Sequence, residues 1–192
     1  LPLVSCEDFL QEQTYNQMTP ELLFTSAEYA QLAVNGCYMA TFMDRLGYQM
    51  YWPATWGSLC QEFSAYNNST AFDYGWNSSH TQVYWVWRNF FRAIDACNTA
   101  IAGIEGMDDG LFTGDQKNVF LAEARMLRSH NYYHLLIFWG GVPIHTEPTS
   151  NPETAFVARS NAQAVFDVIE SDLKFAQQYL PVSWAGGLPH VG

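Results

Sequence analysis

The chain is poor in positive charge. Only eight of its 192 residues are Lys or Arg, against nineteen Asp or Glu, for a formal charge of −11. It therefore lacks the basic face that neutralises a phosphate backbone, which excludes nucleic acid as a partner. It also lacks long apolar runs: stretches such as Leu135 to Trp139 fall far short of the roughly 20 residues a membrane-spanning helix needs. Attachment to a membrane, if any, has to be peripheral or lipidic. Cys6, Cys37, Cys60 and Cys97 are far apart with no C-x-x-C pair, so neither a dithiol redox motif nor a cysteine-built metal site is present. Charged residues make up only 14% of the chain, whereas Phe, Trp and Tyr make up 16%. Many rings must then either pack in a core or be displayed for binding.

What is present reads as helix. Ala30, Ala33, Val34, Cys37, Tyr38, Thr41 and Phe42 recur at helical spacing behind a Thr25/Glu28 capping box, predicting a first helix over about 26–44. Val83, Trp87, Phe90, Phe91, Ile94, Cys97, Ile101 and Ile104 predict a second over about 79–105, stopped at Gly106. Thr113 and Gln116 form a box ahead of a third, whose stripe is Phe120, Ala124, Leu127, Asn131, Leu135 and Phe138. Gly140 and Gly141 end it, and Pro143 forbids a restart. Ser160 and Gln163 open a fourth with the stripe Val165, Ile169, Leu173, Ala176 and Leu180, stopped at Leu180–Pro181. With no convincing strand, the fold class is all-α, in antiparallel pairs joined by loops.

Between the first two helices, residues 45–78 hold four glycines or prolines among Tyr48, Tyr51, Trp52, Trp56, Tyr66 and Trp76, with several Asn and Ser. Long irregular loops in compact domains are often functional, and a disordered one is not so aromatic. Sugars present apolar C–H faces to rings and hydroxyl rims to amides and carboxylates. Trp56, Tyr66 and Trp76 are thus candidate platforms, with Asn67, Asp73 and Asn77 (and Asn68) as hydrogen-bonding neighbours. The competing reading folds these rings inward to seal the helices.

Other residues carry weaker signals. Cys37 and Cys97 read as small buried hydrophobes, with a bridge between them left open. Arg125 and Arg128, in so apolar a helix, need acidic partners, such as Glu123 or Asp95. His130 and His134 stand at i, i+4, a zinc-compatible spacing, but without a third ligand or the Glu of H-E-x-x-H they read as core histidines. No metal or cofactor is expected. Glu62, Asp73 and Asp44 could supply the two carboxylates of a glycosidase, although they form no motif.

Three strings, taken in order, resemble one family: W-x-x-F-F-R-A-I-D-A-C-N from Trp87, A-E-A-R-M-L-R-S-H-N-Y-Y-H-L-L-I-F-W-G-G-V-P-I from Ala122, and R-S-x(5)-F-x-x-I-E-x-D-L from Arg159. They resemble the SusD/RagB outer-membrane nutrient-binding lipoproteins. Leu3, Val4, Ser5 and Cys6 resemble a bacterial lipobox, and Glu7 and Asp8 the acidic signal for surface export; an ordinary buried Cys6 is the alternative. The resemblance implies helix pairs packed as a tetratricopeptide-like scaffold with long irregular loops, although no clean 34-residue repeat is found. It further implies residues 1–5 as residual signal peptide, 6–25 as a lipid-anchored tether carrying lipid on Cys6, and 26–192 as a helical domain incomplete at its C-terminus. The implied role is non-catalytic capture of an oligosaccharide or other nutrient and its transfer to a SusC-like TonB-dependent transporter. The alternatives are a helical-repeat protein-interaction module and, more remotely, a glycoside hydrolase.

Overall fold

The computed structural model describes residues 23–43, 81–151 and 155–183. These residues form four α-helices and no strand. Helix α1 (Ala27–Tyr38) is capped by Ser26, not Thr25: the Ser26 hydroxyl accepts from the Tyr29 amide at 3.3 Å. A serine in extended conformation satisfies an orphan N–H there. The α geometry ends at Tyr38 and the chain continues as a π-turn, Met39–Met43. Helix α2 (Thr81–Glu105) ends where the Gly106 amide bonds the Ala102 carbonyl at 3.2 Å. Helix α3 (Gln116–Trp139) realises half of its expected capping box, with Gln116 Oε1 accepting from the Thr113 amide at 3.2 Å. Helix α4 (Ala162–Tyr179) is capped by Asn161, which accepts from the Ala164 amide at 2.8 Å, and not by the Ser160/Gln163 pair.

Contacts fix the directions. Along α2 and α3, Glu105 meets Arg125, Asn98 meets Arg128, Phe90 stacks near His134 and Trp87 meets Trp139. One number falls as the other rises, so the two helices are antiparallel. Phe24 lies against Gly103 while Cys37 reaches Ala96, so α1 is antiparallel to α2 as well. Arg128 pairs with Asp172 near the middle of α3 and α4, and Gly141 abuts Ser160 at their junction, closing a second hairpin. This is the antiparallel helix pairing expected from the sequence.

Helix α3 sits at the centre. It is buried on several faces, from Phe120, Ala124 and Leu127 toward α1 and α2 to Arg128, Tyr132 and Leu135 toward the exit segment and α4. A fully buried Leu such as Leu127 or Leu135 contributes about 1.5–3 kcal/mol by removal from water. Two positions depart from the expected stripes. Phe138 is 37% exposed, at the end of α3, where the neighbouring Trp139 turns its ring to Trp87 instead. On α4, Leu173 is 47% exposed and Asp172 is 2% exposed: the acid, not the leucine, faces inward.

Candidate functional site

Asp172 points inward because Arg128 is waiting for it. The guanidinium donates from Nε and Nη2 to the two carboxylate oxygens at 2.8 and 2.7 Å, a bidentate pair. The expectation that Glu123 or Asp95 would neutralise the α3 arginines is therefore corrected. Arg128 takes Asp172 from the facing helix, and Arg125 takes Glu105 at 2.9 Å while stacking over Phe175. Glu123 is buried and accepts from the Tyr38 hydroxyl at 3.1 Å. Burial works against the charge on Arg128, but hydrogen bonding and attraction to Asp172 outweigh it and its pKa is raised.

The same node ties down the segment that leaves α3. Arg128 Nη1 donates to Asn98 Oδ1 at 2.8 Å and to the Thr146 carbonyl at 3.2 Å. Asn98 Nδ2 donates to the carbonyls of His145 and Glu147 at 3.0 and 3.1 Å. The Tyr132 hydroxyl donates to the His145 carbonyl at 2.9 Å and accepts its amide at 2.7 Å. Burial raises the Tyr132 phenol to about 12, so it keeps the proton this pairing uses. Asp95 Oδ1 accepts the Thr149 amide at 2.8 Å, pinning the far end to α2. An irregular segment without helical bonds of its own thus finds partners for its buried backbone groups.

Between this strap and α2 lies a cleft of about 230 Å³ lined by Trp87, Phe91, Asp95, Pro143, His145 and Thr149. It continues along α2 past Arg92 and Arg88 to Tyr84, which is 58% exposed. Tyr84, Trp87 and Phe91 follow one another at helical spacing, with Trp87 and Phe91 in ring contact at 4.8 Å. Phe91 also meets His145 edge-on at 5.8 Å. A row of partly exposed rings beside a carboxylate and two guanidinium groups can stack a flat apolar face and hydrogen-bond its rim. Among the described residues, Asp95 is the one carboxylate that lines the cleft.

His130 and His134 lie in the core or half-buried, as expected. Their rings meet edge-on at 4.5 Å, with Phe42 against one and Phe90 against the other. Among the described residues no group of three or more His, Cys, Asp or Glu could hold a metal ion. Burial, with His130 as a second cause, holds His134 down at about 4, and burial lowers His130 as well. The unfolded chain takes up these protons near pH 6.5 while the fold refuses them, so the pair's neutral form favours folding above about 6.5. That contribution is lost as pH falls toward 4. Denaturant midpoints measured from pH 7 to 4 are expected to fall more steeply for the wild type than for His134→Leu.

Trp56, Tyr66, Asn67, Asp73, Trp76 and Asn77, the sequence-derived glycan candidates, lie outside the described residues, as do Cys6, Asp44 and Glu62. Asp95 and Thr149, which line the cleft, and Asn98, which holds the strap beside it, are not among the site residues expected from the sequence. Asn98 had a legible signal: an amide at an apolar helical position, which must find partners when buried.

Among the described residues, antiparallel helices clamped by a buried ion pair, with a ring-lined cleft at one seam, make an all-helical scaffold. The profile of a SusD-like family described as starch-binding and associating with the outer membrane matches residues 8–190, and the chain belongs to that family. It is similar to a curated SusD-like protein, P25, of Formosa agariphila, at 24% identity over 92% of this chain and 35% of the relative. SusD-like protein P38 of the same organism is 27% identical over 94% of this chain and 35% of its own length. The chain thus spans about a third of the length of these relatives. Its fold is similar to that of a SusD-like carbohydrate-binding protein from Bacteroides vulgatus, with a TM-score of 0.70 and 19% identity over 87% of this chain and 38% of that one. A structure solved with xylogluco-oligosaccharide matches with a TM-score of 0.68 and 21% identity, over 83% of this chain and 31% of that one.

Proposed function

We propose that this chain is part of a cell-surface lipoprotein that captures an oligosaccharide without chemistry and passes it to a SusC-like TonB-dependent transporter. A lipid on Cys6 holds it at the outer membrane. The observation that carries this reading is the family match over residues 8–190, whose description joins starch binding to the outer membrane. The oligosaccharide in one solved relative supports the ligand class. Recognition falls to the aromatic segment, with Trp56, Tyr66 and Trp76 as platforms and Asn67, Asp73 and Asn77 as hydrogen-bonding partners.

The test is calorimetric titration of the full-length protein with oligosaccharides of differing linkage. Trp76→Ala is expected to weaken the best ligand by about tenfold or more, ~1.4 kcal/mol, with the melting temperature nearly unchanged. A large fall in melting temperature with affinity intact would instead make Trp76 a core residue. For the anchor, a Cys6→Ala variant is expected to leave the membrane fraction; retention there would favour location by assembly with another protein.

A further inference from the structure

Cys37 on α1 and Cys97 on α2 are both without solvent exposure and belong to one apolar cluster. Cys37 Sγ lies 3.4 Å from the Ala33 carbonyl and 3.6 Å from the carbonyl of Ala96, the residue directly before Cys97. Ala30, Ala33 and Ala100 pack in the same cluster, and such small side chains allow the helices to approach closely. Both residues are free thiols in this structure. Two fully buried thiols sit in one cluster on adjacent antiparallel helices, one of them 3.6 Å from the backbone carbonyl that precedes the other, in a family described as associating with the outer membrane, where disulfides can persist.

We propose that Cys37 and Cys97 are a disulfide-forming pair that staples α1 to α2. The oxidant is a disulfide donor: a dithiol–disulfide oxidoreductase or a small-molecule disulfide such as oxidised glutathione. One cysteine thiolate attacks the donor's S–S bond, giving a mixed disulfide and releasing one thiol. The second cysteine then attacks the mixed disulfide, forming the Cys37–Cys97 bond and releasing the other thiol. The pair loses two electrons and two protons, and the donor's disulfide is reduced to two thiols.

The bond would close a loop of residues 38–96, which contains every proposed glycan contact from Trp56 to Asn77. Its stabilising effect would come chiefly from restricting that long loop in the unfolded chain. Hydrogen bonding to Cys37, then burial, holds the Cys97 thiol well above its ordinary range. Thiolate is therefore scarce in the packed state, and the bridge forms during folding, before α1 docks, far faster than afterward.

The full chain with Cys6→Ser and Cys60→Ser carries only this pair. It should be unfolded, refolded in a glutathione redox buffer or in dithiothreitol, then denatured with N-ethylmaleimide and weighed. The expected result is no maleimide adduct after the glutathione buffer and two after dithiothreitol, with a linked peptide holding both cysteines in the unreduced digest. The melting temperature of the oxidised form should be higher by about 10 °C, and Cys37→Ala should abolish both the linked peptide and the shift. Two maleimide adducts, or glutathione adducts on separate cysteines, in the oxidised sample would overturn the proposal. Adduct counting decides the matter even if Cys37→Ala folds poorly.

Discussion

Asp172→Ala is expected to cost about 3–5 kcal/mol of folding stability, because it leaves the Arg128 guanidinium buried without a counter-charge. The side chains of Arg128 and Asp172 are only 8% and 3% exposed, so water cannot replace the lost partner. The damage should spread beyond α4. Arg128 also holds Asn98 and the Thr146 carbonyl, so a displaced guanidinium loosens the strap that walls the cleft. Urea denaturation of the wild type and variant measures the cost. Arg128→Met combined with Asp172→Leu serves as the control: removing both charges at similar volume should recover much of the loss. If Asp172→Ala unfolds within about 1 kcal/mol of wild type, the node is not the clamp described above.

Gly141→Ala is expected to be nearly as damaging, at about 3 kcal/mol by overpacking. A Cβ on Gly141 would collide with the Ser160 carbonyl oxygen and come within 3.0 and 3.1 Å of Asn161 C and Cα. All three are backbone atoms, which cannot rotate aside. The collision falls at the hairpin junction, where the Ser160 amide donates to the Val142 carbonyl at 3.1 Å and Arg159 Nε to the Gly141 carbonyl at 2.5 Å. The adjacent Gly140 has a different task. Its φ of 67° ends α3, and a Cβ there has open space. Gly140→Ala should therefore cost about 1–3 kcal/mol as backbone strain and not as a collision, because φ 67° with ψ −122° lies outside the left-handed helical region that L-residues tolerate. A Gly141→Ala variant as stable as the wild type would contradict this division of roles.

These two residues show how far the sequence could be read. The Gly-Gly-Val-Pro exit was visible as a helix stop, because positive φ and a following proline are local requirements. That Gly141 must also lie against Ser160 was not, since close approach depends on a partner many residues away. The four helices were legible from periodicity, down to the stop at Leu180. Caps slipped by one residue, to Ser26 and Asn161, where neighbouring residues compete to accept the same N–H groups.

The apolar stripe misled at Leu173 for an instructive reason. A pattern that ranks residues by hydrophobicity cannot expect an aspartate to be the inward residue. Asp172 is inward only because α4 faces Arg128. The sequence shows that Arg128 needs an acid and offers Glu123 on its own helix or Asp95 on the preceding one, whereas the bidentate partner is Asp172 on α4. Two rings of the cleft's row, Trp87 and Phe91, belong to the periodic stripe that marks α2, which does not say which of its rings stay partly exposed. Their partial exposure follows from the path of the strap, which periodicity does not encode.

The central claim is capture without chemistry, and recovery of a bound ligand tests it most directly. Immobilised full-length protein should be challenged with a mixture of oligosaccharides of defined lengths and linkages, washed, eluted and its eluate weighed. The account predicts that one linkage class is retained and returns with its chain lengths unchanged after prolonged contact. Retained material that comes back shorter, or a protein that holds no saccharide at all, would contradict it.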